Sequence, residues 1–380
     1  MKTLHTAEAD AQSGEAVAEP EAGAALSSAH SGGLIIRQRE PRNLEFPFDR
    51  LDSYLTPVES FYIRSHFPAP TLQADSYRLS VEGAVKNSFA ITYDELKRLP
   101  ATTIVATLEC AGNSRVFLVP QKAGAQWELG AVGTAEWTGV PLATLLRKAG
   151  LSAGACDVVL EGADRGHPAE PPTPPELISY SRSVPLEKAL DDVLIAYAMN
   201  GVDLPPDHGH PVRAIVPGHY GMASVKWLTH VRVLEEQFQG YWQTSDYGYW
   251  DEVDGIPVRR PLSDIKLKSE IARPSTLEVL PSGQLYKVYG AAWGGGEDIV
   301  TVEVTTDGGL TWAPATFLDP IRPHAWRRWS YDWKTPDHPG RRILMSRAKD
   351  AAGGSQPDKF DERYFSYVVN FTLPIEVVIQ

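Results

Sequence analysis

The 380-residue sequence predicts an α+β protein in which a mixed α+β domain is followed by an all-β domain. Up to about residue 265, strand-like runs mix with a few short helical ones without regular βαβ alternation, which argues against a doubly wound nucleotide-binding sheet. From about residue 266 onward, short strands follow one another between turn signals. The length is sufficient for a hydrophobic core in each domain.

The first domain is predicted to span residues 35–265. It mixes strand-like runs with few and short helical stretches. The clearest elements are the strands Tyr77–Gly83, Thr102–Leu108 and Arg213–Pro217 and the helices Tyr93–Leu99 and Pro141–Ala149.

The second domain is predicted to span residues 266–380. Val300, Val302 and Val304 alternate with polar residues, which is typical of a half-buried strand. Asp307-Gly308-Gly309 then supplies a hairpin turn, and Trp312 begins another strand. Short strands at this spacing, with tryptophans expected in the core, predict a β-sandwich of immunoglobulin type.

Composition and charge restrict the possible partners. The formal net charge of −12 argues against nucleic acid or an anionic membrane. No apolar run approaches the roughly 18 residues of a membrane span. Residues 1–33 are rich in Ala, Glu, Gly and Ser and lack the features of a Sec signal or a twin-arginine leader, so they are predicted to be a disordered tail of a cytoplasmic protein.

Cys110, one of only two cysteines, follows the predicted strand Thr102–Leu108 and precedes the turn-forming Ala-Gly-Asn. A thiolate at a strand end, with Arg115 nearby to favour the ionised form, suits a sulfur-binding transition metal. The alternative is that Cys110 is a small buried apolar residue. The metal hypothesis requires Cys110 to be a free thiol and predicts no disulfide with Cys156.

The string around Cys110 resembles the molybdenum-binding segment of the sulfite oxidase family, which includes the molybdenum domain of assimilatory nitrate reductases. Further segments resemble the family in the same order along the chain. They are Phe61–Pro70, Trp127–Leu142, Leu194–Arg213, Val225–Leu228 and Ala292–Gly296.

This resemblance implies a sulfite oxidase-type molybdopterin domain and a C-terminal immunoglobulin-like domain through which the family dimerises. It also implies a molybdenum pyranopterin cofactor, with Cys110 as the single protein ligand to the metal. Vertebrate relatives carry a haem domain, whereas no haem is expected here, because the two predicted domains leave no segment for one. An Arg fork and a Lys charge both suit the cofactor's phosphate. The residues that match cofactor contacts are His66, Asp164, His208, Arg213, Ser224 and Lys226.

By the same resemblance, Arg64 and Tyr247 join Cys110 as catalytic residues, because a small anionic substrate needs a cation and a hydrogen-bond donor. Two positions that are arginines in many relatives are Ser114 and Ala223 here, which predicts a weaker anion pocket. Candidates to compensate are Arg115, His219 and the segment Arg322–Arg328, and Trp127 is a candidate pocket wall.

The resemblance therefore predicts an enzyme that oxidises sulfite to sulfate by oxygen-atom transfer and passes electrons to a separate acceptor. Reduction of nitrate, or of an S- or N-oxide, on the same cofactor is the alternative activity. A scaffold protein that retains the fold is the non-enzymatic alternative. A homodimer through the C-terminal domain is the expected assembly.

Overall fold

The computed structural model describes residues 30–31, 33–169 and 173–380. The predicted tail therefore lies outside the described residues except at its end, where His30–Ser31 pairs with the strand Leu34–Gln38. None of the described helices is long and apolar enough to cross a membrane. The α+β prediction is confirmed, since many strands are accompanied by three short α-helices in the described part of the chain.

The strand that leads to Cys110 belongs to an antiparallel sheet, which we call the thiolate sheet. Thr102–Glu109 pairs along its whole length with Val132–Pro141. Pairing between Thr107 and Thr134 places their hydroxyls 2.5 Å apart. The strands of this sheet are Thr102–Glu109, Val132–Pro141, Leu194–Met199, Val202–Asp203 and Arg213–Ile215.

A second five-stranded sheet, the flanking sheet, packs beside the thiolate sheet. Its parallel pair joins Leu228–Leu234 to Arg78–Gly83, and its other pairs are antiparallel. Its strands, in spatial order, are Ile178–Pro185, Asp157–Gly166, Leu228–Leu234, Arg78–Gly83 and Phe89–Thr92.

Three short α-helices and two small sheets complete the first domain. The first helix starts at a capping box, in which the Thr92 hydroxyl accepts from Glu95 and the Glu95 carboxylate accepts from Thr92. The helices are Tyr93–Lys97, Leu142–Ala149 and Leu186–Asp191. The small sheets comprise His30–Ser31, Leu34–Gln38, Asn43–Glu45 and Ile63–Arg64, and the hairpin Gly248–Val253 with Ile256–Pro261.

The second domain is a sandwich of two sheets whose facing side chains form one apolar cluster around Trp329 and Trp333. One sheet contains Lys268–Arg273, Leu285–Trp293, Arg327–Lys334 and Thr316–Phe317. The other contains Val279–Leu280, Ile375–Ile379, Gly340–Asp350, Ile299–Thr305 and Ala313–Pro314. The predicted sandwich is confirmed, and its immunoglobulin type stays a prediction.

One detail of the predicted alternation is wrong. Val302 and Val304 are buried, but Val300 is 47% exposed. The register between Ile299–Thr305 and its partner strand shifts between Ile299 and Thr301, so Ile299 points inward in place of Val300.

The two domains contact each other directly beside Cys110. The Thr107 N–H donates to the His324 carbonyl at 2.9 Å, and the Val368 N–H donates to the Ala111 carbonyl at 2.8 Å. Trp293 and Trp326 of the second domain are fully buried at this contact, with Trp293 against Phe48. The turn after the strand Thr102–Glu109 is therefore held by both domains.

Candidate active site

Cys110 lies directly after the strand Thr102–Glu109, where the chain leaves the thiolate sheet. Its N–H donates to the Ala131 carbonyl at 2.9 Å, and its carbonyl accepts from Asn113 at 2.8 Å. Asn113 is itself fixed, because its amide donates to Glu109 and its side-chain oxygen accepts from the Ala131 N–H. Cys110 is a free thiol, as predicted, in a rigidly held turn.

Two cavities meet at Cys110. The inner cavity is lined mainly by buried residues, and the outer one is lined partly by exposed residues and opens toward solvent. The three predicted catalytic residues, Arg64, Cys110 and Tyr247, line both cavities. The six residues predicted to bind the cofactor all line the inner cavity: His66, Asp164, His208, Arg213, Ser224 and Lys226.

The cations of the inner cavity hydrogen-bond to neutral groups. Arg213 donates to the carbonyls of His208 and Ser224 at 3.1 and 2.9 Å. Lys226 donates to the Ser65 hydroxyl at 2.8 Å and to the Asp207 carbonyl at 2.9 Å. Arg64 donates to the Ser65 carbonyl and to Asn43. In the described part of the chain, none of the three forms a direct ion pair with a carboxylate.

Burial shifts the pKa values of Lys226, Arg213 and His208 toward their neutral forms. Burial acts in the same direction on Arg64, but the pKa of Arg64 is raised because Tyr247 and Cys110 outweigh it. Burial lowers the pKa of Lys226 to about 7, with Arg213 acting in the same direction and Asp164 opposing it. Burial likewise lowers the pKa of Arg213 to about 10 and that of His208 to about 3. A positive charge on Lys226 or Arg213 therefore costs free energy, which a bound anion would offset.

Asp164 tests whether the inner cavity suits a pterin. Its Oδ1 is buried without a hydrogen-bond partner among the described residues, although it lines the cavity. Burial raises the pKa of this carboxyl to about 7, against the opposing effect of Lys226. An unpaired acceptor suits the donor edge of a pterin, and the unpaired cations suit its phosphate. The residues present therefore fit a molybdenum pyranopterin.

Tyr247 is held by a layer of aromatic side chains between the cavities. Its hydroxyl shares a 2.7 Å hydrogen bond with His66 Nε2. The His66 ring stacks on Tyr180 and packs against Trp242, with ring centroids 4.7 and 4.4 Å apart. Burial lowers the pKa of His66 well below its ordinary value, and Arg64, Lys226 and Arg182 lower it further, so the ring is neutral at neutral pH. His66 thus contacts a predicted catalytic residue as well as the inner cavity.

Of the predicted compensating cations, only Arg115 lines either cavity. It borders the outer cavity and donates to the carbonyls of Ala125 and Ser366, both at 2.9 Å. His219 instead lies 3.3 Å from Asp264, and Arg327 and Arg328 bind the segment around Asp319. The expectations for His219 and Arg322–Arg328 are therefore wrong. Trp127 is fully buried in the core behind Cys110 and walls neither cavity.

Ser114 and Ala223 were expected to weaken the anion pocket, but both are buried and line neither cavity. The Ser114 hydroxyl accepts from Lys268 of the second domain at 2.8 Å. Ser114 therefore belongs to a different site, in which a lysine lies beside two carboxylates.

We call this second site the interdomain cluster, formed by Glu109, Ser114, Lys268, Glu270 and Trp293. Lys268 Nζ lies 3.3 Å from the Glu109 carboxylate and 3.5 Å from that of Glu270. The Trp293 indole donates to Glu109 at 2.9 Å. All five side chains are almost completely buried. The cluster fixes the residue that precedes Cys110 to the second domain.

Sequence reasoning missed the second domain's part in the outer cavity. Phe365, Ser366 and Tyr367 line it, and the Tyr367 hydroxyl donates to Asp246 at 2.9 Å. These residues are about 120 positions from Asp246 in the chain, and no local pattern marks them. Asp207 and Tyr180, which line the inner cavity, were also missed. Asp207 is adjacent to His208 within the segment Leu194–Arg213, and this position could have identified it as a cavity residue.

Comparisons with known proteins show which family this chain is similar to. Residues 66–242 match the oxidoreductase molybdopterin binding domain, and residues 259–371 match the Mo-co oxidoreductase dimerisation domain. Sulfite oxidase of Gallus gallus is 37% identical over 86% of this chain and 73% of its own length. The chain spans 61% of the mitochondrial sulfite oxidase of Rattus norvegicus, at 36% identity over 86% of this chain.

A nitrate reductase and a solved structure extend these comparisons. The inducible NADH nitrate reductase 2 of Glycine max is 34% identical over 84% of this chain but is covered over only 39% of its length. The crystal structure of the sulfane dehydrogenase SoxCD from Paracoccus pantotrophus superposes with a TM-score of 0.77 and 29% identity, over 92% of this chain and 86% of that chain.

Proposed function

Because this chain belongs to the sulfite oxidase family of molybdenum oxidoreductases, we propose that it oxidises sulfite to sulfate with a molybdenum pyranopterin. In this reaction sulfite and one water give sulfate, two protons and two electrons. The electrons pass to a separate acceptor. The family is established by sequence, whereas the substrate and the acceptor are our proposal.

One observation carries the proposal. A free thiol lies where two cavities meet, and the buried or half-buried cations that line the inner cavity have neutral hydrogen-bond partners. Buried cations are costly without counter-charges. An anionic cofactor in the inner cavity and an anionic substrate beside Arg64 would supply these charges. A scaffold protein would gain nothing from this arrangement.

When bound, the cofactor supplies the redox centre for a two-electron oxygen-atom transfer. Cys110 would provide the protein's thiolate ligand. Arg213 and Lys226 would hold the phosphate, and the unpaired Asp164 oxygen would accept from the pterin edge. His208 Nε2 lies 3.3 Å from the Val58 carbonyl, so a neutral ring carries its proton on Nε2 and leaves Nδ1 as an acceptor.

Sulfite would bind beside Arg64, whose guanidinium borders both cavities. The Tyr247 hydroxyl keeps its proton at neutral pH, because burial raises its pKa above the ordinary value, although Arg64 opposes this shift. With its proton on Nε2, a neutral His66 donates to the phenol oxygen and leaves the Tyr247 O–H free to donate to an oxyanion without bringing a negative charge to it. Arg64 and Tyr247 would therefore bind and orient the anion.

Nitrate reduction on the same cofactor is the second candidate, favoured by the similarity to the nitrate reductase of Glycine max. Both sulfite and nitrate are small oxyanions that Arg64 could bind. Assays of sulfite with oxidised dyes, and of nitrate or an S- or N-oxide with reduced dyes, distinguish these activities. A preference of the loaded enzyme for nitrate or an oxide would overturn the proposed substrate.

Cys110→Ser tests the proposed ligand. We expect purified parental protein to contain molybdenum and to oxidise sulfite, and the variant to lose activity by more than the roughly 10–100-fold cost of disturbing an outer-shell partner. Cys156→Ser is the matched control, because Cys156 is an exposed free thiol. Sulfite oxidation by Cys110→Ser close to the parental rate would refute the assignment.

We further propose a homodimer through the second domain, supported by the match of residues 259–371 to a dimerisation domain. Analytical ultracentrifugation of the purified protein tests this assembly. A sedimentation coefficient typical of a 41.7 kDa monomer across micromolar concentrations would refute it.

A further inference from the structure

Arg182 is a buried cation that the proposed chemistry does not yet use. It lies in the strand Ile178–Pro185 of the flanking sheet and is 2% exposed. Its guanidinium donates to the Trp242 carbonyl and, at 2.7 Å, to the Leu262 carbonyl. Its Nε has no hydrogen-bond partner, and no carboxylate of the described residues forms an ion pair with it.

Both acceptors of Arg182 belong to the frame of Tyr247. Trp242 lies in the π-helical turn Tyr241–Asp246, which ends directly before Tyr247. Leu262 lies after the hairpin that Tyr247 precedes, and the Leu262 N–H donates to the Tyr247 carbonyl at 2.9 Å. One guanidinium therefore ties together the two segments that determine where Tyr247 lies.

The charge of Arg182 also lies over the face of the Tyr247 ring. The guanidinium carbon is 5.8 Å from the ring centroid, and the Tyr247 hydroxyl meets His66, while Tyr247 lines both cavities. A positive charge close to a phenol ring makes its O–H a stronger donor, and low-dielectric surroundings preserve this effect. A guanidinium is costly to bury for carbonyl acceptors alone, which indicates a use beyond packing.

We propose that Arg182 is a positioning residue for Tyr247, holding its backbone frame and polarising its hydroxyl so that Tyr247 donates to an oxyanion substrate. This inference rests on the proposed function, because it requires an anion in the outer cavity. It predicts that Arg182 affects anion binding only while the Tyr247 hydroxyl is present.

The test uses the molybdenum-loaded enzyme and two readouts, sulfate binding by calorimetry and the sulfite KM and kcat. Arg182→Gln keeps an amide donor for one carbonyl and removes the charge. Loss of a hydrogen bond to a charged group weakens binding about tenfold to a hundredfold. We expect Arg182→Gln to weaken sulfate binding about tenfold, and the control Arg78→Met, an exposed arginine of the same sheet, to leave it unchanged.

Tyr247→Phe separates positioning from general packing. In that background, Arg182→Gln should change the sulfate Kd by less than about twofold, since contacting residues are not additive. The same loss in both backgrounds, or an unchanged sulfate Kd in Arg182→Gln with only a lower Tm, would overturn the inference. Arg182→Lys retains the charge but loses the guanidinium that reaches both carbonyls, so it should bind sulfate more tightly than Arg182→Gln and less tightly than the parent. Sulfate binding by Arg182→Lys that is no tighter than that of Arg182→Gln would show that the charge does not contribute and would overturn the polarising role.

The binding readout distinguishes this inference from the proposed substrate. If the parent binds sulfate through Arg182 but does not oxidise sulfite, the proposed function fails while the role of Arg182 stands. If the parent oxidises sulfite but Arg182→Gln binds sulfate normally, only the role of Arg182 fails.

Discussion

The inner cavity and the interdomain cluster both bury charges on either side of Cys110, but they balance these charges differently. In the cavity, Arg64, Arg213 and Lys226 face carbonyls and hydroxyls. In the cluster, Lys268 lies within 3.5 Å of two carboxylates. Arg182, over the Tyr247 ring, follows the pattern of the cavity, since its hydrogen-bond partners are carbonyls.

This difference indicates that the inner cavity, rather than the interdomain cluster, is suited to bind an anionic ligand. The interdomain cluster contains its own counter-charges, so its role is to join the domains. The inner cavity contains an excess of cations that only an added anion would balance. Removing a cation should therefore destabilise the fold at the cluster and impair ligand binding at the cavity.

Lys268→Met should produce the largest change in stability. It leaves Glu109 and Glu270 buried without their cation, and breaking a buried ion pair costs about 3–5 kcal/mol. Urea unfolding measures the loss, and Lys266→Met, an exposed lysine two residues away, is the control. Equal stability of the two variants would contradict the structural role of the cluster.

Arg64→Gln should act on function rather than on stability. Truncating a buried charge partner costs about 2–5 kcal/mol, which corresponds to a large rise in the sulfite KM. Stopped-flow or steady-state kinetics on loaded enzyme measure it, with Arg78→Gln as the control. Sulfite parameters within about twofold of the parent would favour a neutral oxide as the substrate.

Lys226→Met should separate cofactor retention from folding. We expect the molybdenum content after dialysis to fall, because one charge-assisted contact to the cofactor phosphate is lost. The free energy of unfolding of the cofactor-free protein should change by less than about 1 kcal/mol, since the burial of Lys226 opposes its charge. A loss of stability as large as that of Lys268→Met would remove the distinction between the two sites.

Glu270→Gln tests the cluster through pH. Burial raises the pKa of Glu270 to about 7 from an ordinary value near 4.5, with Lys268 opposing the shift. Between these values the folded protein holds a proton that the unfolded chain has released, so the free energy of unfolding falls as pH rises through this window. Gln removes this penalty, and the variant should gain about 1–3 kcal/mol over the parent between pH 5 and pH 8.

Urea unfolding at the two pH values measures that gain, with Glu297→Gln, an exposed carboxylate of the same domain, as the control. An advantage of Glu270→Gln that is equal at both pH values would show that its carboxyl does not titrate in this window.

The sequence predicted the strands and the cavity residues where the signal was local. Cys110, Arg213 and Lys226 belong to short strings that follow, form or precede strands, and the structure brings them to one cavity. Lys268, Arg182 and Tyr367 were not predicted, because each acts on residues 60 or more positions away. Their roles depend on how deeply they are buried and on which distant residues they contact, rather than on their neighbours in the sequence.

Ser114 is a residue for which the neighbouring sequence suggested the wrong contact. Its position in a cation-rich string suggested a lost contact to the substrate, but it accepts from Lys268 in another part of the interior. A sequence motif shows which residue types are present, whereas the direction of each side chain depends on the backbone conformation of the turn that contains it. Ser114 adopts a left-handed conformation with φ of 70°, so the chain changes direction there.

The hydrogen bond from Val368 to the Ala111 carbonyl has a consequence for how the protein is made. During translation, Cys110 leaves the ribosome more than 250 residues before Val368. The outer cavity also lacks Ser366 and Tyr367 until that point. A nascent chain therefore has a complete first-domain sequence while the outer cavity still lacks part of its wall, and the cavity beside Cys110 becomes enclosed only after Val368 has been made.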